Sequence, residues 1–418
     1  MNKENWIGRS FIVDIEKVAH GGIFVARHEG RVVFVSHVLP GEKAKVRVFE
    51  DAGKGFCRAE PVEIIEASPD RVDHFWKEAG VGGAGGAEFG HIKLSRQREL
   101  KADVLEEALD RFAGLKLRVP VEAAPGDDEA NGLGYRTRVQ LHVDEQGFVG
   151  PYRERSHEVV RVKTLPLAVE DIQELSFQTK NYQSVDKIEV MASSTGQLQW
   201  MIDKKLQGDE RLIERAGGRT FRITGGGFWQ VHKKAPDVLT SAVNDFVAKA
   251  GIKLEANNLD LYGGVGLFTG ALAAAFGTNL RMITVESFKQ ATEDATLNLN
   301  DLPRVKAVCQ PTERFLNERA SEAKAEAKKA KADGLAAPKS TATVVLDPPR
   351  AGAGAHVIQR LTEIAPKHIV YVACDPIALA RDLKPLLADG YELKSLRAFD
   401  LFPHTHHVEC VASLVRKS

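Results

Sequence analysis

Short apolar runs separated by turn residues fill the first part of the chain. They lie at residues 11–15, 22–26, 32–35, 44–49 and 57–59. Glycine, proline and aspartate recur between the runs, as is typical of places where a chain reverses direction. Many short strands at such even spacing are typical of a small closed β-barrel of the oligonucleotide-binding kind. The pattern therefore predicts a barrel domain over residues 1–66.

A helical period replaces the strand pattern after a glycine-rich stretch. Over residues 92–113 apolar side chains recur at helical spacing, which predicts an amphipathic helix. Alternation of apolar and polar residues returns at residues 135–143 and 157–162, which we interpret as two strands. We therefore expect a central α+β subdomain over residues 67–218, with its helix packed on the domain that follows.

From residue 219 onward, apolar strand runs alternate with amphipathic helical segments. This order is typical of an α/β domain with a doubly wound, Rossmann-like sheet. Residues 318–340 are instead dominated by alanine, lysine and glutamate and indicate a solvated helical insertion or a flexible loop. The predicted fold is a multi-domain chain with a small β-barrel, an α+β subdomain and a C-terminal α/β domain over residues 219–418.

Charge narrows the ways in which the chain could bind nucleic acid. Its 418 residues include 57 basic and 57 acidic side chains, so the formal net charge is zero. Binding would therefore depend on local basic patches and not on a global field. Candidate patches lie on the barrel, at Lys43, Lys45, Arg47, Lys54 and Arg58, and in the central subdomain, at Arg136, Arg138, Arg153, Arg155 and Arg161. The alternative for each is a solvated surface cation.

Cysteine usage and hydropathy indicate the compartment. The four cysteines are scattered, which argues against a disulfide framework and for a reducing environment. No run has the character of a signal peptide or the length of a membrane span. We expect a cytoplasmic protein with no membrane contact and no obligate protein partner.

Cys374 is the first candidate for chemistry. It follows the apolar run at residues 369–372, and Asp375 and Pro376 then open a helical pattern. A cysteine so placed lies at the carboxyl end of a parallel strand, where open α/β sheets bind ligands. It also lies at a helix N-terminus, which lowers the pKa of a thiol and favours the nucleophilic thiolate. A buried structural cysteine is the alternative.

A glycine turn at residues 263–266 indicates a nucleotide-like ligand. The turn joins a strand to a helix, and glycines such as Gly264 let the backbone approach a ligand closely. Glu286 ends the next strand, about 20 positions on, where such folds bind a ribose hydroxyl. The predicted ligand is an adenosine compound, either NAD or S-adenosylmethionine, and the motifs further along favour the latter.

Three further polar residues stand in apolar surroundings. Asp347 opens the turn Asp-Pro-Pro-Arg after a buried strand, Gln230 lies within Phe-Trp-Gln-Val, and Glu409 interrupts an apolar strand. A buried carboxylate such as Glu409 has a raised pKa and suits a general base. Histidines at positions 404, 406 and 407 lack a second ligand group, so no metal site is expected.

Five motifs together resemble the S-adenosylmethionine-dependent RNA uracil-C5 methyltransferases that carry a TRAM domain, an RNA-binding barrel. The motifs occur in the family's order, at residues 228–231, 260–266, 347–350, 372–376 and 404–409, and the barrel resembles TRAM at residues 19–23, 33–35 and 39–42. The resemblance implies Cys374 as the nucleophile and Glu409 as the proton acceptor. It also implies that S-adenosylmethionine binds to a set of four residues, namely Gln230, Tyr262, Glu286 and Asp347.

The chemistry of that family accounts for these residue types. Uracil C5 is a weak nucleophile, but addition of a thiolate at C6 gives C5 carbanion character. After C5 has taken a methyl group, a base must remove its proton so that the thiol can leave. One cysteine and one carboxylate suffice without a metal, and the target base must leave its stack to reach them.

The sequence departs from the family at three places. Many relatives hold an iron–sulfur cluster with cysteines where this chain has Ala84, Ala87 and Leu165, so no cluster is expected. Gly263 replaces a cysteine that often follows the tyrosine. Asp375 replaces the usual asparagine, and its charge would raise the pKa of the adjacent thiol unless it is paired.

Three functions remain open. The first is a uracil-C5 methyltransferase that acts on ribosomal RNA or, alternatively, on transfer RNA. The second is a non-catalytic RNA-binding or RNA-folding protein that keeps the fold. The third is a cytosine-C5 methyltransferase, which would more naturally carry a cysteine at the proline turn of residues 348–349, where there is none. We expect the first, because Cys374 and Glu409 are both present.

Overall fold

The computed structural model describes residues 5–53, 55–333 and 340–417. Its first domain is a barrel. Five strands close it in the order β1-β2-β3-β5-β4, which confirms the predicted barrel. The strands are β1 (Ser10–Ala19), β2 (Ile23–His28), β3 (Arg31–Val35), β4 (Lys43–Glu50) and β5 (Phe56–Glu66). Side chains such as Phe24, Val33 and Val46 point inward and are fully buried. The apolar runs of the sequence are thus the inner face of the barrel.

One helix joins the barrel to the rest of the molecule. Helix α1 (Leu94–Ala108) lies within the predicted range, and a π-helical turn (Leu109–Ala113) extends it. Leu100 packs in the barrel core, whereas Leu105 and Leu109 belong to the core of the C-terminal domain. Opposite sides of α1 therefore hold the barrel against that domain.

The central part of the chain forms short strands and one short helix. They are β6 (Val121–Ala123), β7 (Arg138–Val143), β8 (Val149–Gly150), α2 (Glu170–Glu174), β9 (Lys187–Ala192), β10 (Leu198–Ile202), β11 (Lys205–Gly208), β12 (Arg211–Ala216) and β13 (Arg219–Thr224). One antiparallel sheet has the order β11-β10-β9-β7-β8, and β12 and β13 form a hairpin. The prediction of a strand at residues 157–162 was wrong, because that segment makes only an isolated bridge between Val159 and Tyr152.

The C-terminal domain is built around an eight-stranded sheet. Its elements are α3 (Ala235–Ala250), β14 (Asn258–Leu261), α4 (Leu267–Phe276), β15 (Met282–Glu286), α5 (Lys289–Asn298), β16 (Val305–Cys309), α6 (Thr312–Ala332), β17 (Thr343–Leu346), α7 (Gly354–Ile364), β18 (His368–Ala373), α8 (Pro376–Ala388), β19 (Tyr391–Asp400) and β20 (Glu409–Arg416). The sheet order is β16-β15-β14-β17-β18-β20-β19-β6. Pairing is parallel from β16 to β18, and β20 runs antiparallel between β18 and β19.

The border predicted between residues 218 and 219 falls inside the β12–β13 hairpin, so the chain does not divide there. The hairpin packs on the start of α4, because Leu212 and Phe221 share a core with Val265 and Leu267. Strand β6 also leaves the central subdomain and pairs in parallel with β19. The central and C-terminal parts are therefore interleaved by pairings between distant segments, which local sequence patterns do not reveal.

Part of the alanine- and lysine-rich segment is helical. Helix α6 continues to Ala332, and residues 334–339 lie outside the described residues. Arg319 and Glu322 form an ion pair on the surface of this helix, as expected for a solvated face. Within the described ranges, no helix is both long and apolar enough to cross a membrane.

Candidate active site

Five predicted site residues lie along one edge of the C-terminal sheet. Glu286 ends β15, Tyr262 follows β14, Asp347 follows β17 and Cys374 follows β18. These four strands are neighbours and parallel, so their carboxyl ends meet at the same edge. Strand β20 begins there with Glu409, and pairing of Ala373 with Cys410 places Glu409 beside Cys374. The structure thus brings together the predicted nucleophile, the predicted base and three of the predicted ligand residues, Tyr262, Glu286 and Asp347.

Cys374 lies half-buried in a cavity of about 110 Å³. The turn between β1 and β2, helix α1 and residues 406–408 complete the walls, so the barrel and α1 both contribute. Burial, together with the carboxyl groups of Glu409 and Asp347, raises the pKa of Cys374 to about 12. The sequence predicted a lowered pKa, but the net shift is upward, because burial and the two carboxyl groups outweigh the lowering effects of Arg350 and a backbone hydrogen bond.

Asp375 caps helix α8 and is paired with the barrel. Its Oδ1 accepts the backbone N–H of Ala378 at 2.8 Å, and its Oδ2 accepts Nε2 of His20 at 2.8 Å. Burial would raise the pKa of Asp375, but the hydrogen bonds from His20 and Ala378 lower it below its usual range. The negative charge that replaces the family's asparagine therefore has a partner, His20 in the β1–β2 turn.

Glu409 is buried, with 6% of its surface exposed. Burial and the neighbouring carboxyl of Asp347 raise its pKa well above the usual range, and the charge of Arg350 acts in the opposite direction. A carboxyl group in this environment has the basicity that removal of a proton from carbon requires. The position and environment of Glu409 suit the predicted role of proton acceptor.

Arg350 and His407 complete the mouth of the Cys374 cavity, and sequence reasoning gave neither of them a role at the site. The guanidinium of Arg350 donates to Nδ1 of His407 at 2.7 Å, and both line the cavity. Its charge opposes the burial that raises the pKa of Cys374. The position of Arg350 three residues after Asp347, in a turn stiffened by two prolines, was the signal that could have identified it.

The histidines of the last motif bind protein groups. His404 contacts the side chain of Gln97 at 3.1 Å and the carbonyl of Asn131 at 2.8 Å, and burial lowers its pKa to about 4. His406 is hydrogen-bonded to Glu88. In the described ranges, no group of three histidine, cysteine or acidic side chains is arranged to hold a metal ion.

The glycine turn forms a cradle beside Glu286. The carboxylate of Glu286 accepts the N–H of Gly264 at 3.1 Å and that of Phe288 at 2.8 Å. Gly264 has a φ of +53°, and a side chain there would project into open space. Trp229, next to Gln230, packs with Val265 against the start of α4. An open backbone cradle beside a carboxylate fits the ribose and amino-acid parts of S-adenosylmethionine.

Two buried carboxyl groups stand between the glycine turn and Cys374. Asp260 accepts the hydroxyl and N–H of Thr269, yet its other oxygen has no hydrogen-bond partner in the described part of the chain. Burial raises its pKa to about 6. Burial and the charge of Asp260 also raise the pKa of Asp347, to about 7. Both groups are therefore poised to change charge when a cationic or hydrogen-bonding ligand arrives.

Gly263 cannot carry the cysteine that is frequent in the family. A Cβ at this position would lie 2.0 Å from Oγ1 of Thr284 on β15. Thr284 also approaches Asp260, at 3.4 Å. The threonine thus fills the space in front of Gly263, which accounts for this departure from the family pattern.

The positions that would correspond to iron–sulfur ligands are apolar and buried. Ala84, Ala87 and Leu165 belong to one hydrophobic cluster with Trp76 and Tyr135. None of these side chains supplies a thiolate, which is the ligand that such clusters require. The residues present do not fit the cluster.

Many of the basic residues in the two candidate patches are engaged within the protein. On the barrel, the cations pair with carboxylates of the same barrel: Lys43 with Glu66, Arg47 with Glu60 and Arg58 with Glu50. Lys54 lies outside the described residues. In the central sheet, Arg138 donates to the carbonyl of Gly227 and Arg161 pairs with Asp144. Arg136, Arg153 and Arg155 line a second cavity, although Arg153 also pairs with Glu158 and Arg155 with Glu154.

The chain is similar to known proteins over most of its length. The family model for tRNA (uracil-5-)-methyltransferase matches residues 170–417, and the model for the TRAM domain matches residues 6–62. An uncharacterized RNA methyltransferase of Streptomyces avermitilis is 39% identical over 98% of both chains. A 23S rRNA (uracil(1939)-C(5))-methyltransferase of Shewanella woodyi is 28% identical over 98% of this chain and 97% of its own. The crystal structure of Pyrococcus abyssi tRNA (uracil-54, C5)-methyltransferase with S-adenosyl-L-homocysteine shares the fold, with a TM-score of 0.70, 21% identity and coverage of 96% of this chain and 99% of that one.

Proposed function

Because the chain belongs to the tRNA (uracil-5-)-methyltransferase family of S-adenosylmethionine-dependent RNA uracil-C5 methyltransferases, we propose that it methylates a uridine of ribosomal RNA through a covalent adduct with Cys374. The observation that carries the proposal is the juxtaposition of Cys374 and Glu409 at the strand edge that also holds the glycine cradle. The name of the Shewanella woodyi relative and the TRAM barrel support ribosomal RNA.

In the proposed reaction, Cys374 and Glu409 act in sequence. Cys374 loses its proton to solvent, and its thiolate adds to C6 of the uracil, so that the electron pair of the C5–C6 double bond moves toward C5 and O4. The cradle of Glu286, Gly264 and Asp347 would hold S-adenosylmethionine, which would supply an electrophilic methyl group for C5 and leave as S-adenosylhomocysteine. Glu409 then takes the C5 proton, the double bond re-forms and the thiolate leaves.

Arg350 carries a positive charge, which suits the negative charge that develops in this pocket during the proposed reaction. A thiol with a pKa near 12 ionises rarely at neutral pH. Arg350 lines the same cavity and its guanidinium is held by His407, so its positive charge can stabilise the thiolate and then the enolate oxygen. We therefore assign Arg350 the role of an electrostatic stabiliser in the proposed mechanism.

The first test is methylation of RNA by the purified protein. RNA from a strain that lacks the gene is incubated with S-adenosylmethionine, separated into ribosomal and transfer RNA, digested, and analysed by nucleoside mass spectrometry. We expect new 5-methyluridine in ribosomal RNA with the wild type and with Cys309→Ala, whose cysteine is exposed outside the cavity, and none with Cys374→Ala. Product in transfer RNA would redirect the substrate assignment. RNA binding without any methylated nucleoside would favour the non-catalytic alternative.

A Glu409→Gln variant tests the proton acceptor. Without the carboxylate, the methylated base keeps its C5 proton and the bond between Sγ of Cys374 and C6 cannot break. A protein–RNA adduct should therefore accumulate and survive denaturation on a gel. Glu392→Gln on the neighbouring strand β19, where the side chain is exposed, serves as the control. Normal turnover by Glu409→Gln would place the base elsewhere.

A further inference from the structure

A second cavity, of about 480 Å³, lies beside the Cys374 pocket. On the basis of the function proposed above, we propose that it binds the base of an RNA nucleotide next to the target uridine. The two cavities share Gly21, His406 and His407 as common walls. An RNA strand whose target base enters the first cavity would therefore have a neighbouring nucleotide at the second. The volume lies within the range of sites that enclose small organic groups.

The walls of this cavity offer what an unstacked base requires. The rings of Tyr152 and His142 are stacked, with centroids 3.5 Å apart and planes within 11°, so another flat ring can extend the stack. Val139 and Leu167 supply apolar contact on the same wall. The indole N–H of Trp76 is buried without a hydrogen-bond partner in the described part of the chain, and Trp76 lines the cavity. A buried indole donor usually has a partner, and a base carbonyl or ring nitrogen would be one.

The charge of the cavity suits a phosphate-linked ligand. Three arginines lie in its wall, at Arg136, Arg153 and Arg155. Of the two acidic residues of the wall, Glu88 is hydrogen-bonded to His406, and Glu154 contacts His37 at 3.3 Å and Arg155 at 3.6 Å. Arg153 also pairs with Glu158 at 2.8 Å, yet the arginines of the wall still outnumber its acidic residues. Arginine planes and aromatic rings around an apolar floor are the groups that bind single-stranded RNA. The observations therefore favour a nucleotide over a peptide or a neutral metabolite.

The experiment uses the full-length protein and a seven-nucleotide RNA of uridines with 5-fluorouridine at the centre. Fluorine at C5 cannot leave as a proton, so the methylated adduct with Cys374 persists and its rate of formation can be measured on a denaturing gel. Each flanking uridine is replaced in turn by an abasic ribonucleotide. The proteins compared are the wild type, Tyr152→Ala and the control Tyr182→Ala, a tyrosine of the same subdomain that does not line the cavity.

We expect one abasic position to slow adduct formation about tenfold in the wild type and in Tyr182→Ala, because a base stacked on an aromatic ring contributes that much. On the complete RNA, Tyr152→Ala should form the adduct about tenfold more slowly than the wild type. The abasic nucleotide at that position should slow this variant further by less than about twofold. The cavity assignment would be overturned if the abasic nucleotide slowed adduct formation by Tyr152→Ala as much as by the wild type. It would also be overturned if no abasic position slowed the wild type.

Failure of the proposed function gives a different pattern. If no protein forms an adduct with any RNA, uridine methylation itself is rejected, and binding of fluorescein-labelled heptauridine by fluorescence anisotropy still tests the cavity. Weaker binding by Tyr152→Ala than by Tyr182→Ala supports the nucleotide site, and equal dissociation constants reject it.

Discussion

The residue next to the candidate nucleophile has two tasks in the folded protein. Asp375 caps helix α8 with one carboxylate oxygen and binds His20 with the other. His20 belongs to the barrel, so the carboxylate beside Cys374 is held by a hydrogen bond from another domain. A carboxylate at this place without such a partner would make ionisation of the thiol harder.

Replacement of His20 by alanine tests this pairing. We expect His20→Ala to form the RNA adduct about tenfold more slowly, because one unit of pKa changes the thiolate fraction by that factor. The double variant His20→Ala/Asp375→Asn should recover most of the rate, since asparagine keeps the cap and carries no charge. His28→Ala on the same barrel controls for loss of a histidine. A double variant as slow as His20→Ala would indicate that His20 acts in another way.

Single residues were predictable where a local pattern identifies them. Cys374 and Glu409 interrupt or end apolar strands, so their place at the sheet edge follows from the sequence. The direction of the thiol's pKa did not follow, because it depends on desolvation by α1 and the barrel and on Glu409 and Asp347 from other strands. The role of His20 in the cavity likewise depends on a tertiary approach that spacing does not encode, whereas the place of Arg350 in the Asp-Pro-Pro-Arg turn was a usable signal.

At the scale of elements, helix α1 is the connection that positions the barrel over the site. Lys101 on this helix is buried and donates to Asp400 at the end of β19 at 2.5 Å and to the carbonyl of Phe402 at 3.1 Å. The other carboxylate oxygen of Asp400 has no hydrogen-bond partner among the described residues. Lys101 therefore supplies the positive charge that compensates the buried carboxylate of Asp400.

The variant Lys101→Met tests this dependence. It should lower the free energy of unfolding by about 3–5 kcal/mol, because removal of one partner leaves a buried charge unpaired. Lys101→Met/Asp400→Leu should recover much of the loss. Urea or thermal denaturation followed by circular dichroism measures both. Lys17→Met, which breaks the exposed pair with Glu107, should have little effect, and an equal effect of the two lysine variants would contradict the prediction.

Elements with strong periodicity were predictable, and weakly constrained ones were not. The barrel strands and α1 follow their apolar periods closely. The segment at residues 157–162 alternates in the same way, yet Arg155 before it adopts a φ of +57° and the chain turns back on Pro151. A strand requires a partner at the right distance, and alternation alone does not supply one.

At the scale of the molecule, burial at the active-site edge of the sheet disfavours the charged form of two carboxyl groups and therefore makes the stability of the fold depend on pH. Asp347 and Asp260 are both pushed toward the neutral form by burial. A carboxyl whose pKa is raised by folding stabilises the folded state at low pH and loses that contribution as the pH rises through its folded pKa. For Asp347 this loss should extend from about pH 4 to about pH 7.

The variant Asp347→Asn should therefore be as stable as the wild type near pH 4.5 and more stable at pH 8, by about 1–3 kcal/mol. Thermal unfolding at the two pH values measures the difference. Asp186→Asn, which alters an exposed carboxylate, should give no such dependence on pH. A stability gain of Asp347→Asn that is equal at both pH values would contradict the assignment of the raised pKa. Loss of methylation by the same variant would accompany the gain if Asp347 binds the methyl donor.

The interleaving of distant segments has a consequence for how the protein is made. Helix α1 and strand β6 are synthesised well before their partners, because Lys101 meets Asp400 across 299 residues and β6 pairs with β19. The barrel can fold first, whereas the C-terminal sheet must wait for its last strands. A nascent chain that stops before β20 carries Cys374 without Glu409. Because the same strand β20 completes the sheet beside β18 and carries Glu409, the candidate nucleophile and the candidate base reach their places in one step of folding.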